Sequence, residues 1–327
     1  MARVFSGIQP TGAPHLGNYL GAVRGWVSEQ HTNDAIFCIV DLHALTFPQS
    51  PEELHDKTLG LTALLMAAGL DPDVCTLFAQ SHVHEHTELG WIMTCTASEG
   101  ELSRMTQFKE KRAGASFTSG GLFAYPALQA ADILLYDTDE VPVGDDQRQH
   151  IELARDLAIR FNSRYGDTLI VPKHTIPPVG ARVMDLQNPT AKMSKSLESP
   201  LGTVLVTDPP EVIAKKVKRA VTDTDGDVRF DPEAKPGVAN LLSILAACTD
   251  GDPEKLAAGY EQYGPLKADT ADAVVELLRP LQQRHAAIAA DPGSVLASLA
   301  LGASKAQAIA ADTLARTKAA LGLVARP

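Results

Sequence analysis

The sequence predicts an α/β fold: a Rossmann-like doubly wound parallel sheet with a smaller all-helical C-terminal domain. Three observations carry this. Short apolar runs at 4–8, 35–41 and 75–80 alternate with stretches of helical periodicity, the pattern of a parallel sheet covered on both faces. After Pro209 strand signal almost vanishes and helical spacing takes over. Between the two regimes, residues 187–207 are rich in Pro, Ser, Thr and Lys and read as a linker.

Each element has a local reason. Residues 4–8 form a short buried strand, and Leu16, Leu20, Val23 and Val27 then recur at helical spacing. Residues 35–41 are β-rich, and Ser50-Pro51-Glu52-Glu53 opens a helix with a capping hydroxyl, a first-turn proline and two early carboxylates. Residues 75–80 give a third strand and 140–143 a fourth, followed by Gly144-Asp145-Asp146 and a helical face of Ile151, Leu153, Ala154, Leu157, Ala158 and Phe161. Residues 169–171 are expected to be the last core strand, with prolines at 172, 177 and 178 marking the exit. Helices are expected at 209–220, 237–249, 253–262, 267–290 and 303–321.

Composition narrows the class. The chain has 327 residues, 45% of them hydrophobic and 21% charged, which excludes collagen-like, disordered and small disulfide-stapled proteins. No apolar run reaches the ~20 residues of a membrane span, and the N-terminus lacks a signal-peptide pattern, so a cytoplasmic protein with no membrane partner is expected. Cys38, Cys75, Cys95 and Cys248 show no Cys-x-x-Cys spacing, which suits free thiols in a reducing compartment. A net charge of −11 argues against sequence-independent coating of nucleic acid. The acidity is uneven: residues 1–200 hold 15 basic and 24 acidic side chains, whereas 201–327 hold 14 and 16. A polyanion is therefore repelled less by the second part.

Two constellations carry chemistry. Ser6-Gly7-Ile8-Gln9-Pro10-Thr11-Gly12-Ala13-Pro14-His15-Leu16-Gly17-Asn18 lies between the first strand and the first helix, where doubly wound sheets bind ligands and a helix N-terminus faces phosphate. It matches neither G-x-G-x-x-G nor a P-loop. His15 is placed to donate to phosphoryl oxygens as charge builds; read alone, the segment is equally a glycine-rich turn with a solvated histidine. The second is Lys192-Met193-Ser194-Lys195-Ser196, two lysines three apart that would clamp a triphosphate or form a solvated basic turn.

The pair, His-x-Gly-Asn after strand one and KMSKS some 175 residues later, resembles the signatures of class I aminoacyl-tRNA synthetases. Longer matches point to the bacterial tryptophanyl-tRNA synthetases: Phe5-Ser6-Gly7-Ile8-Gln9-Pro10, Arg104-Met105-Thr106-Gln107-Phe108-Lys109-Glu110-Lys111, Ala130-Ala131-Asp132-Ile133-Leu134-Leu135-Tyr136, Val141-Pro142-Val143-Gly144-Asp145-Asp146-Gln147-Arg148-Gln149-His150, Ala220-Val221-Thr222-Asp223 and Lys235-Pro236-Gly237. The resemblance implies that L-tryptophan is activated with Mg²⁺-bound ATP and transferred to tRNA(Trp). It implies catalytic roles for Gln9, His15, Lys192 and Lys195. For ATP it implies contacts from Gln9, Pro10, Thr11, Gly17 and Asn18, from Gly144, Asp145 and Asp146 at the ribose, from Val183 near adenine, and from Lys192, Met193, Ser194, Lys195 and Ser196 along the phosphates. No protein metal site is implied.

Asp132 is the implied reader of the indole N–H, with Phe5, Gly7, Tyr125, Gln129 and Gln147 lining the pocket. An acceptor-only carboxylate suits a group that offers one donor and no acceptor, and leaving it unpaired opposite phenylalanine is expected to give ~10⁴-fold rejection. Without the resemblance, Asp132 reads as a helix N-cap. Two departures stand out: position 129 is Gln where several family members carry Met, and Asn18 replaces the His of the general class I signature. The resemblance also implies a homodimer closed by helices near 103–111, a catalytic domain at 1–186 with 293–327 packed back on it, the loop at 187–207 and an anticodon-reading domain at 208–292. Tyrosyl-tRNA synthetase shares both signatures and is the nearest rival, ahead of a non-tRNA adenylyltransferase and a non-catalytic paralogue.

Three further features have two readings each. His82, His84 and His86 would share one strand face as a metal site, or reflect loop polarity. Trp26 and Trp91 read as packing residues rather than base-stacking platforms. Lys215, Lys216, Lys218 and Arg219 form either a solvated helix face or a tRNA phosphate contact.

Overall fold

In the computed structural model, which describes residues 1–112, 118–144, 147–175, 182–194 and 199–324, the first apolar run becomes β1 (Arg3–Ile8). Then follow α1 (Leu16–Asn18), a π-helical turn (Tyr19–Val23) and α2 (Arg24–Glu29). The widened turn has a packing correlate: Leu16 and Leu20 join one apolar cluster, whereas Val23 and Trp26 join another. β2 (Asp34–Ile39) stops short of residue 41 because Asp41 opens α3 (Asp41–Ala44). α4 (Pro51–Ala68) starts as expected, with Ser50 accepting from the Glu53 N–H. β3 (Thr76–Ala79), α5 (Glu85–Thr96), α6 (Glu99–Arg104), α7 (Thr106–Arg112), α8 (Gly120–Leu134), β4 (Glu140–Pro142), α9 (Arg148–Tyr165) and β5 (Lys173–Thr175) complete the first part.

The expected strand at 169–171 is corrected. Asn162 takes its backbone: Oδ1 accepts from the Thr168 and Leu169 N–H groups, and Nδ2 donates to the Leu169 carbonyl at 2.7 Å. Pairing is thereby deferred to β5, beyond Pro172.

The five strands lie in the order β3-β2-β1-β4-β5, all pairs parallel. Strand order reverses at β1/β4, so the crevice for a ligand opens beyond Ile8 and Pro142. Alternate residues explain the continuous apolar runs. Phe5, Ile36, Cys38 and Phe78 face the cluster built with α5, α8 and α9, while Val4, Phe37, Ile39 and Leu77 face Trp26, Leu61 and Leu65.

The second part holds α10 (Pro210–Lys218), α11 (Pro236–Thr249), α12 (Pro253–Ala257), α13 (Tyr263–Ala289) and α14 (Pro292–Ala320). α14 begins eleven residues before the expected start, because Pro292-Gly293 opens the helix rather than breaking one: Asp291 caps it by accepting from the Ser294 N–H. The same helix is long and apolar enough to cross a membrane by length and composition, contrary to expectation. It packs instead along β3, α5 and α4. Lys305 donates to the Pro72 carbonyl at 2.6 Å, Arg316 to the Thr168 carbonyl at 3.1 Å, and Lys318 pairs with Glu88 at 2.7 Å. Gly302 allows the close approach, since a Cβ there would overlap the Leu77 carbonyl.

Two predictions follow from this packing. Gly302→Ala is expected to push α14 off the sheet edge and cost about 1–3 kcal/mol, read as a fall in the unfolding midpoint in denaturant. Glu101 accepts from Arg160 through both oxygens, at 2.9 and 2.5 Å, and from the Ser98 N–H and hydroxyl at 2.8 Å. The Arg160 hydrogen bond, opposed by burial and aided by Ser98, lowers its pKa from 4.5 to about 2. A depressed carboxyl stabilises the fold above its ordinary pKa, and that contribution is lost as pH falls from 4.5 towards 2. Glu101→Gln should therefore flatten the acid limb of thermal stability across that window; an unchanged limb would remove the pair from acid unfolding.

Candidate active site

The turn after β1 is shaped locally before it meets any partner. Thr11 N–H donates to the Gln9 carbonyl at 2.8 Å and Gly12 takes φ 92°, a left-handed conformation suited to glycine. His15 caps α1 reciprocally with Asn18: its Nδ1 accepts from the Asn18 N–H at 3.2 Å, and Asn18 Oδ1 accepts from the His15 N–H at 3.1 Å. With Nδ1 as acceptor, the neutral ring carries its proton on Nε2, the donor tautomer. Gly17 keeps the helix start open, because a Cβ there would lie 3.1 Å from the His15 ring and 3.5 Å from Val183 Cβ. Gln9 and Thr11 are exposed, Pro10 is buried, and Gly17 and Asn18 are half-buried.

The second signature is brought to the first by backbone pairing. Leu16 N–H donates to the Val204 carbonyl at 2.8 Å and Val206 N–H to the Pro14 carbonyl at 3.0 Å, so 14–16 and 204–206 run antiparallel around His15 and Leu205. Lys192 bridges Met184, and Asp185 N–H donates to the Ala191 carbonyl at 2.9 Å. Asn240 of α11 holds both backbone groups of Met184 at 2.9 Å. Val183 and Met193 are buried in one cluster with Leu16, Leu20 and the α11 and α13 side chains, so 187–207 is anchored by core residues at both ends. Lys192 itself is exposed and Ser194 half-buried, its carbonyl accepting from the Thr203 hydroxyl. Asp145, Asp146, Lys195 and Ser196 lie outside the described residues, while Gly144 is exposed at the end of β4.

Tyr125, Gln129 and Asp132 fall on one face of α8 at spacings of four and three residues. Asp132 is inside the helix, not at its N-cap, and only 1% exposed. Its Oδ1 accepts from Gln80 Nε2 and His86 Nδ1, both at 2.7 Å, and its Oδ2 from His43 Nε2 at 2.8 Å. Burial alone would push the carboxyl up, but the hydrogen bonds from His43 and His86 together outweigh it and hold the group well below the usual carboxylate range. Phe5 is buried and stacks on Tyr136 with centroids 5.7 Å apart. Tyr125 Oη lies 2.9 Å from His150 Nε2, and Gln129 Nε2 reaches Gln147 Oε1 at 3.5 Å. A Cβ at Gly7 would stand 3.1 Å from Val40 Cγ1, so a side chain there would press on Val40.

His43, Gln80 and His86 were missed from sequence. The one signal was the histidine run, and it resolves differently from the metal reading: the three histidines span a 3₁₀ turn and the start of α5 rather than a strand, His82 and His84 are exposed, and His86 alone is buried, on Asp132. Trp26 packs on Phe37 at 5.2 Å, but Trp91 is 69% exposed and is not a packing residue. In the basic run, Lys216 is buried, donating to Asp208 at 2.6 Å and the Thr203 carbonyl at 2.8 Å. Only Lys215, Lys218 and Arg219 remain exposed to meet a phosphate.

Comparison with known proteins places this geometry. A family model described as tRNA synthetases class I (W and Y) matches residues 1–279. Tryptophan–tRNA ligase 1 of Streptomyces coelicolor is 55% identical, over 99% of this chain and 98% of its own. Tryptophan–tRNA ligase of Mycobacterium leprae is 50% identical over 99% and 97%. Among solved structures, tryptophanyl-tRNA synthetase from Mycoplasma pneumoniae superposes with a TM-score of 0.92 at 38% identity, covering 99% of this chain and 98% of that one. The Campylobacter jejuni enzyme complexed with ADP and tryptophan gives 0.86 at 33%, covering 98% and 100%. On this full-length likeness, the chain belongs to the class I tRNA synthetases, in the family of the bacterial tryptophanyl-tRNA synthetases.

Proposed function

We propose that the protein is a tryptophan–tRNA ligase, activating L-tryptophan with ATP to tryptophanyl-adenylate and passing the acyl group to tRNA(Trp), with release of pyrophosphate and AMP. The observation that carries this reading is likeness of 50–55% along nearly the whole chain to tryptophan–tRNA ligases. The clip between 14–16 and 204–206 supports it further, because it keeps both signatures on one crevice. The tryptophan carboxylate attacks the α-phosphorus in line, forming the acyl–phosphate bond as the bond to pyrophosphate breaks. A terminal ribose hydroxyl of the tRNA then attacks the acyl carbon and AMP leaves. Neither step needs an enzyme nucleophile, so the protein contributes position and charge stabilisation.

In this reading Gln9, Pro10, Thr11, Gly17, Asn18, Gly144, Asp145, Asp146 and Val183 receive ATP. His15 donates from Nε2 to phosphoryl oxygen, and Lys192, Met193, Ser194, Lys195 and Ser196 follow the phosphates. Asp132 accepts the indole N–H, and Phe5, Gly7, Tyr125, Gln129 and Gln147 line the pocket. Mg²⁺ comes with the nucleotide, as the counter-ion of its phosphates. The segment 208–292 reads the anticodon and the exposed Lys215, Lys218 and Arg219 meet tRNA phosphates. The family resemblance carries a cytoplasmic homodimer closed near 103–111, and the catalytic unit as 1–186 with 293–327 against it.

The experiment is amino-acid-dependent exchange of labelled pyrophosphate into ATP, expected with tryptophan and at background with tyrosine; the reverse preference would assign the tyrosyl activity. Lys195→Ala is expected to slow tryptophan-dependent exchange roughly 10²-fold or more with little change in tryptophan affinity. An unaltered rate would exclude Lys195 from pyrophosphate departure.

A further inference from the structure

The hydrogen bonds around Asp132 can be counted. A carboxylate offers about four acceptor sites, and three are taken: two on Oδ1 by Gln80 and His86, one on Oδ2 by His43. Two of the three donors are fixed from behind. Gln80 Oε1 accepts from the Leu42 N–H at 3.1 Å, which aims its amide nitrogen at Asp132. His86 is fully buried, and its Nε2 lies 2.7 Å from the hydroxyl of the equally buried Tyr136. An ionised carboxylate only accepts, so His86 Nδ1 carries a proton. In the neutral ring Nε2 accepts, and the order is then Tyr136 O–H to His86, and His86 N–H to Asp132.

We propose that His86, whose Nδ1–H is fixed by the Asp132 carboxylate and whose ring is anchored by Tyr136, is a positioning residue for tryptophan selection: it fills Oδ1 so that, among the described residues, the carboxylate keeps a single acceptor site, on Oδ2, for one ring N–H. Neither residue touches substrate in this scheme. The link to the proposed pocket is short, since Tyr136 stacks on Phe5, and Phe78 packs with its ring centroid 5.8 Å from both His86 and Tyr136. Without the phenol, His86 still turns a proton on Nδ1 towards the carboxylate but loses the hydrogen bond that anchors its ring from behind. The Nδ1–H can then swing off Oδ1, and Asp132 would turn or draw a donor meant for Oδ2.

The inference rests on the reading of Asp132 as the indole acceptor. The test compares L-tryptophan with β-(3-benzothienyl)-L-alanine, in which sulfur replaces the ring N–H, by kcat/KM in pyrophosphate exchange on the full chain. The wild type should prefer tryptophan by about 10- to 100-fold, the worth of one hydrogen bond to a charged group. Tyr136→Phe, which keeps the ring packing, and His86→Leu should each cut that preference about tenfold by lowering kcat/KM for tryptophan alone, with the KM for ATP unmoved. His86→Asn, whose amide N–H stands near the place of Nδ1, should restore most of it. Equal losses for both amino acids in Tyr136→Phe and His86→Leu would reduce His86 and Tyr136 to packing residues and overturn the proposal while leaving Asp132 as the reader. A wild type that does not distinguish the two substrates would remove Asp132 from indole reading, and the proposal with it.

Discussion

The site is organised by one costly feature, a carboxylate buried in the apolar heart of the sheet. Removing an ion of this size from water costs several kcal/mol even after relaxation, and Asp132 is 1% exposed among Ile133, Leu134, Phe78 and Cys38. Its donors come from separate places: His43 from α3 just past β2, Gln80 from the residue after β3, and His86 from the first turn of α5. They meet because β2 and β3 are parallel and in register, Ile39 opposite Ala79, so their C-terminal exits lie side by side under α8. The strand order thus does more than open a crevice at β1/β4. It delivers the donors that keep a charge stable where water does not reach.

A second dependence runs between the two halves of the chain. The helical part is not a separately cored unit joined by a tether. Leu16 and Leu20 of the first signature, Val183 and Met193 beside the second, and Leu241, Val274 and Leu281 of the helical part share one cluster. Direct ties reinforce it: Arg284 donates to the Ala67 carbonyl at 2.6 Å, and Gln282 to the Val206 and Asp208 carbonyls at 2.9 Å. The Leu16–Val204 and Val206–Pro14 hydrogen bonds tie the segment that follows the KMSKS run to the turn that carries His15. Through the same cluster α13 is packed against the elements that carry both signatures.

The fold was legible because its signals are local. Capping at Ser50, the proline at the start of α4 and the apolar runs of β1, β2 and β3 act within a few residues, and each element formed within one or two residues of expectation. Failures came where a side chain or a tertiary contact overrode the local pattern. Asn162 took the backbone of 168–169 and displaced β5; Asp291 turned Pro292-Gly293 from a breaker into a helix start; Trp91, in an apolar stretch of α5, stayed on the surface. The second shell of Asp132 was hidden for the same reason. His43, Gln80 and His86 are separated from it by 89, 52 and 46 positions, and no periodicity or motif relates them.

In the proposed reading, in which Asp132 accepts the indole N–H, these three donors also change the energetics of selection. With a lone carboxylate, a phenyl ring in place of indole would strand a buried charge, and the penalty would reach the ~10⁴-fold expected from sequence. With three donors already in place, the charge is never stranded, and the N–H of indole adds only a fourth hydrogen bond. One charge-assisted hydrogen bond is worth about 1.5–3 kcal/mol, roughly 10- to 100-fold. The remaining discrimination against smaller aromatic amino acids must come from volume, since a phenyl ring leaves part of an indole-sized space unfilled and loses dispersion contacts along its walls. On that reading the network trades steep chemical rejection for a permanently stable, pre-aimed acceptor, and it shifts the burden of excluding phenylalanine and tyrosine onto the shape of the proposed pocket at Phe5, Gly7, Tyr125 and Gln129.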